Sequence, residues 1–290
     1  MLSRLAVLPQ YLLPKLALTR LAGSLARAQA GGLTTTVIRW FVRRYRVDMA
    51  EAAEPDVARY LSFNDFFTRA LKSGARPPAK ARLISPVDGA ISQLGAVERD
   101  QIVQAKGHRY STQALVGGDA ELAKAFDDGW FATLYLSPRD YHRIHMPCAG
   151  RLRRMIHVPG ELFSVNPTTA RGVPGLFARN ERVVCVFDAV EGGPGPFVLV
   201  LVGATIVGSM ATAWHGIVNP PRPGSIRDWD YRGEAEPIVL RQGDEMGRFL
   251  LGSTVVMLFP KGAGAKGKPL RANAEWAPGR AIRMGEKMAD

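Results

Sequence analysis

The chain has 290 residues, 47% of them apolar and 22% charged, a composition that excludes a disordered or fibrous protein and gives enough material for a sizeable core. Two cysteines, Cys148 and Cys185, argue against a disulfide scaffold, and no stretch of about 20 consecutive apolar residues is present to span a bilayer. The formal net charge of +12 is concentrated at the ends: residues 1–50 hold eight basic residues against one acid, and residues 260–290 seven against three, so the body is nearly neutral.

The first 20 residues place a charge ahead of an apolar stretch, as a signal peptide does, but Pro9, Pro14 and Lys15 break that stretch and the segment is expected to be retained. At about 100° per residue, Leu13, Ala17, Leu18, Leu21, Ala22 and Leu25 fall on one half of a helical wheel, opposite Lys15, Thr19, Arg20 and Arg27. After the Gly31-Gly32 break, Thr36 is a candidate N-cap for a second helix, in which Val37, Ile38, Phe41, Val42 and Tyr45 are flanked by Arg39, Arg43 and Arg46. Such helices either pack on the protein's own core or lie in the headgroup layer of an anionic membrane. Nucleic-acid binding is disfavoured, because no helix-turn-helix, zinc-finger or aromatic RNA-binding pattern accompanies the charge.

From about residue 83 onward, short apolar and alternating segments separated by turn signals predict many strands, and helical signal returns only at residues 120–126. The expected fold class is α+β: a largely antiparallel, β-rich body at residues 51–290 preceded by amphipathic helices within residues 1–50.

Several polar residues do not fit their apolar surroundings. In residues 249–259 a Gly252-Ser253-Thr254 triplet interrupts what reads as one buried strand, either as a bulge or as a serine held on a special backbone. His142 and His145 stand three apart in residues 141–147, in extended or turn geometry ahead of Pro147. With Cys148 they form a metal-ligand cluster that lacks any distant partner set, so no metal is expected. Asp88-Gly89 is a hairpin signal, with the alternative that Asp88 orients a histidine. The order Asp88, His145, Ser253 also fits a serine hydrolase acting on lipids, although Ser253 lacks a Gly-x-Ser-x-Gly elbow.

The motifs together resemble bacterial phosphatidylserine decarboxylase proenzymes of the membrane-bound type. The resemblance lies in residues 63–69 (FNDFFTR), 85–89 (SPVDG), 141–147 (YHRIHMP), 158–166 (VPGELFSVN), 176–182 (LFARNER) and 202–209 (VGATIVGS), and in 247–249 (GRF) running into 251–254 (LGST). Two departures are His157, where another aromatic is expected, and a long Gly/Lys-rich segment after Pro260.

The resemblance implies self-cleavage between Gly252 and Ser253 into chains of residues 1–252 and 253–290, with His145 as general base and Asp88 as its orienter. It implies a covalent pyruvoyl cofactor derived from Ser253, which condenses with the phosphatidylserine amine and accepts electrons as carbon dioxide leaves. His142 is then the candidate proton donor, and Ser164 and Asn166 are candidates for binding the carboxylate or phosphate. The implied partners are phosphatidylserine in an anionic membrane and the two chains of one precursor; the oligomeric state, a homodimer included, stays open. The implied location is peripheral, on the cytoplasmic side of the cell membrane.

Overall fold

The computed structural model describes every residue except Met1, Lys106, Glu191, Gly192, Val207, Gly208, Ser253, Ala265 and Gly267, and side chains from residue 7 onward. Three helices open the chain: α1 (Leu2–Leu12), α2 (Lys15–Arg27) and α3 (Gly32–Tyr45). Pro9 lies inside α1 and does not end it. Helix α3 begins at Gly32, with Gly31 in the N-cap position. Thr36 is therefore not a cap; its hydroxyl donates to the Gly32 carbonyl one turn back, at 2.8 Å. A short α4 (Phe63–Phe67) is started by a capping box in which Ser62 accepts from the Asp65 amide and Asp65 accepts from the Ser62 amide.

The body is β-rich and antiparallel, as expected. The main path of the large sheet runs Arg227–Asp230, Gly150–Val158, Arg182–Ala189, Phe197–Val202, Thr254–Phe259, Trp130–Tyr135, Gly89–Ala96, Ala281–Ile282, and Val239–Leu240 also pairs with Gly150–Val158. A second sheet has the order Gly216–Asn219, Met210–Thr212, Glu245–Phe249, Arg143–His145.

Alternation decides which face each residue buries. Along Thr254–Phe259, Val255, Met257 and Phe259 join a core with Ile144, Met210 and Phe249 of the small sheet, while Val256 and Leu258 join the core on the opposite face with Phe163 and Phe177. The small sheet thus stacks on one face of the large one, and the central strand is covered on both.

One sequence expectation changes. Residues 249–259 are not one interrupted strand: Glu245–Phe249 belongs to the small sheet and Thr254–Phe259 to the large, so Gly252 lies in the crossing between sheets. The carboxy-terminal segment is folded back on the body: Lys287–Ala289 pairs with Leu83–Ile84, and Trp276, Ile282 and Met288 are buried.

Candidate active site

The crossing segment is held at both ends by backbone bonds. The Phe249 amide donates to the His142 carbonyl at 3.0 Å and the Leu250 amide to the Ser209 carbonyl at 3.1 Å. From Thr254 the chain pairs with Phe197–Val202 on one side and Trp130–Tyr135 on the other. Ser253, the expected nucleophile, lies outside the described residues.

His142 stands immediately against this crossing. The ring is fully buried, and its Nδ1 lies 2.8 Å from the Asp140 carbonyl, which accepts only from a protonated nitrogen. That fixes the tautomer with a bare Nε2, and Nε2 is buried without a hydrogen-bond partner among the described residues. A methyl group built on Gly252 would stand 3.1 Å from Nε2, so the lone pair is aimed at the backbone of the expected cleavage site. Phe67 of α4 covers the ring, with centroids 4.1 Å apart. Burial pushes the His142 pKa down to about 3, against the Asp140 carbonyl, which favours the protonated ring.

His145, on Arg143–His145, uses both ring nitrogens. Nδ1 donates to the Gly243 carbonyl at 2.7 Å, and Nε2 lies 3.0 Å from the Tyr141 hydroxyl, which donates to it. Burial lowers its pKa, and the negative charges of Glu245 and Asp88 act in the opposite direction.

Asp88 does not fill the place expected of it beside His145. Arg76 holds its carboxylate in a fork, with Nε 3.0 Å from Oδ1 and Nη2 2.6 Å from Oδ2, and the Met284 amide donates to Oδ1 at 2.8 Å. The orienting bond to His145 comes instead from the Gly243 carbonyl, and Asp88 reaches His145 only through its charge. Ser164 and Asn166 are likewise occupied: the Ser164 amide donates to Gln10 Oε1 at 2.9 Å, and Asn166 caps the helix Pro167–Gly172 while its amide donates to Ser164 Oγ at 3.0 Å. Among the described residues, no group of three or more His, Cys, Asp or Glu could hold a metal ion. The Cys148 thiol is buried and its pKa pushed up to about 12.

A family model described as phosphatidylserine decarboxylase matches residues 63–290, and another, described only as PSD, matches residues 5–46. The chain belongs to the phosphatidylserine decarboxylase family. Proteins named phosphatidylserine decarboxylase proenzyme from Azoarcus sp. (strain BH72) and Dechloromonas aromatica (strain RCB) are 74% and 70% identical to it, over 100% and 99% of this chain and 97% and 98% of theirs. One of the same name from Polaromonas naphthalenivorans (strain CJ2) is 69% identical over 100% of this chain and 98% of its own.

The motif that carried this resemblance at residues 63–69 had no role assigned from sequence, yet it builds a wall of the candidate site. Phe67 covers His142, and Asn64 borders a cavity beside Leu250 and Leu251. Arg69 is buried beneath them, and desolvation lowers its pKa. Two adjacent phenylalanines followed within two residues by a buried arginine were the available signal.

Proposed function

We propose that the chain decarboxylates phosphatidylserine to phosphatidylethanolamine, using a pyruvoyl group that it makes by cleaving itself between Gly252 and Ser253. The observation that carries this is the buried, unpartnered Nε2 of His142 facing Gly252 in the crossing between the two sheets. An orphaned buried acceptor is costly unless chemistry uses it, and here it fits a reacting group formed at residue 253.

When formed, the pyruvoyl carbonyl supplies an electron sink for the carboxylate's bonding pair. The remaining work falls to the chain's own side chains. In maturation His145 takes the proton of the Ser253 hydroxyl once Tyr141 releases Nε2, and the charges of Glu245 and Asp88 partly offset the burial that lowers its pKa. In turnover His142 acts as the proton donor: protonated at Nε2, it gives that proton to the head-group carbon after carbon dioxide has left, and its depressed pKa makes the protonated ring a ready donor. Burial under Phe67 keeps water from competing for that step.

The chain reaches its lipid from the membrane surface, on the cytoplasmic side. No helix among the described residues is long and apolar enough to cross a bilayer. Helix α2 packs inward through Thr19 and Ala26 and leaves Leu21 and Leu25 in the open, and Leu12, Leu33 and Trp40 are also exposed, Leu12 by 88%. Leucine faces turned outward beside Arg27, Arg39 and Arg43 suit an anionic headgroup layer.

Mass spectrometry tests the reading. Purified protein should give two chains, the smaller beginning at residue 253 and blocked at its amino end; a single intact chain from active enzyme would sink the mechanism. His145→Ala should stay uncleaved, whereas His142→Ala should cleave and lose decarboxylation. A serine-directed fluorophosphonate should leave the mature enzyme unlabelled, because its Ser253 hydroxyl is gone; labelling would favour the hydrolase reading.

A further inference from the structure

Two cavities flank α2. The smaller, about 430 Å³, borders the crossing segment at Leu250 and Leu251 and is walled by Asn64, Ile206 and Ser209. The larger, about 810 Å³, follows the first half of α2 between Pro14, Leu16 and Ala17 on one side and Pro159, Gly160 and Leu162 on the other. It lies beside Leu12, Leu13 and Leu16, which are exposed. Arg20 and Arg222 are the residues common to both linings.

These two arginines differ in how they are held. Arg20 is exposed on α2 and has no ion-pair partner among the described residues. Arg222 is fixed: its Nε donates to Glu181 Oε2 at 2.8 Å, and Glu181 Oε1 lies 2.9 Å from His157 Nε2. Burial works against ionisation of Glu181, but the hydrogen bond to His157 and the charge of Arg222 hold its carboxyl below the usual range. Arg222 Nη2 is left buried with no hydrogen-bond partner among the described residues. The junction therefore presents two guanidinium groups against one carboxylate, with a guanidinium donor to spare. His157, an oddity in the sequence, is part of the brace that sets Arg222 in place.

The order of environments along this path is that of a glycerophospholipid. The smaller compartment, with Asn64, Ser209 and Arg27 among its walls, ends at Leu250 and Leu251, next to Gly252 in the chain; a cationic junction follows, and a compartment apolar over most of its surface, edged by Lys15, Glu161 and Arg179, leads to the exposed leucines. We propose that Arg20 and Arg222 hold the phosphodiester of the substrate at this junction, with the serine head directed through the smaller cavity toward Gly252 and the acyl ends lying in the larger one. The assignment rests on the decarboxylase reading above. It moves phosphate recognition away from Ser164 and Asn166, whose polar atoms serve the α1 contact and the helix cap. An arginine fork suits the task because it meets two phosphate oxygens at once.

The test uses the full-length, self-cleaved protein and dibutyryl phosphatidylserine dispersed as monomers, so that membrane docking plays no part. Arg20→Gln should raise KM about tenfold, the scale of one lost charged hydrogen bond, with cleavage and kcat little changed. Arg20→Lys should restore most of the loss, and Arg222→Lys should raise KM while keeping the charge opposite Glu181. Calorimetric Kd values for dibutyryl phosphatidylethanolamine should rise in the same ratio, a binding readout independent of turnover. Unchanged KM and Kd, with activity lost only on anionic vesicles, would make Arg20 a membrane contact and overturn the assignment. Wild-type protein that neither cleaves nor decarboxylates would instead remove the underlying reading, and this proposal with it.

Discussion

Phe67 lies against the imidazole of His142, the two ring centroids 4.1 Å apart and tilted by 40°. Because Phe67 belongs to α4, which packs with Ile38 of α3, the amino-terminal helices help to keep the His142 ring dry. Phe67→Ala should admit water, move the His142 pKa up from about 3 toward its ordinary 6.5, and cost about 3–5 kcal/mol of stability as a large-to-small core change. Titration of the His142 ring by NMR and urea unfolding check both parts. An unmoved titration would show that other contacts desolvate the ring.

The same burial makes stability depend on pH. The folded His142 binds a proton only near pH 3, whereas the unfolded chain binds one below about 6.5. As pH falls through that window the unfolded state gains protons that the folded state refuses, so this contribution is present above 6.5 and lost on acidification. Between pH 7.5 and 5 the loss should be about 2 kcal/mol. Urea midpoints at the two pH values should draw closer in His142→Gln; an unchanged gap would assign the acid sensitivity elsewhere.

Gly252 has room for a hydrogen where another residue would carry a methyl. A Cβ there would stand 3.1 Å from His142 Nε2 and 3.7 Å from the Leu136 carbonyl oxygen. Gly252→Ala must therefore push the imidazole or the crossing segment aside, and self-cleavage should slow markedly. A time course on denaturing gels would follow the disappearance of the intact chain, and cleavage at the wild-type rate would contradict the crowding argument.

His142 and Gly252, which meet at this crossing, were legible because their segments are chemically out of place: two histidines in one short stretch, and a glycine and serine amid apolar residues. Their arrangement was not. Apolar alternation is the same whether residues 249 and 255 share a sheet or belong to two, so the change of sheet leaves no mark on the pattern. Asp88 illustrates a second limit. A carboxylate in a turn signals a partner without saying which, and Arg76, 12 positions earlier, is drawn in only once Glu51 and the Met284 amide are folded around it. Thr36 was a reasonable cap by residue type, but the helix had already begun at the preceding glycines. On α2 the wheel divided the residues correctly, yet only tertiary packing decides that Thr19 goes inward and Leu25 stays outside.

Cleavage should leave the two chains together. The segment after Gly252 supplies Thr254–Phe259, hydrogen-bonded to strands on both sides, and then Ala281–Ile282 and Lys287–Ala289 at two further places on the large chain. Met257, Phe259 and Met288 are fully buried. The processed protein should elute as one species in native buffer and separate only in denaturant. Loss of the small chain during native gel filtration would contradict this account of the sheet.

The exposed leucines of α2 give the last expectation. Leu21 and Leu25 are 59% and 65% exposed, so replacing them removes little packing and should leave folding intact. Burying each in the headgroup layer is worth on the order of 1.5–3 kcal/mol, and a glutamate in its place would also be repelled by anionic lipid. Leu21→Glu with Leu25→Glu should weaken binding to phosphatidylglycerol vesicles well over tenfold. Cleavage into two chains should continue, because the residues around Gly252 are untouched. Activity on vesicles should fall with binding, while turnover of monomeric dibutyryl phosphatidylserine should hold. Vesicle binding that survives the double substitution would place the membrane contact on another face of the protein.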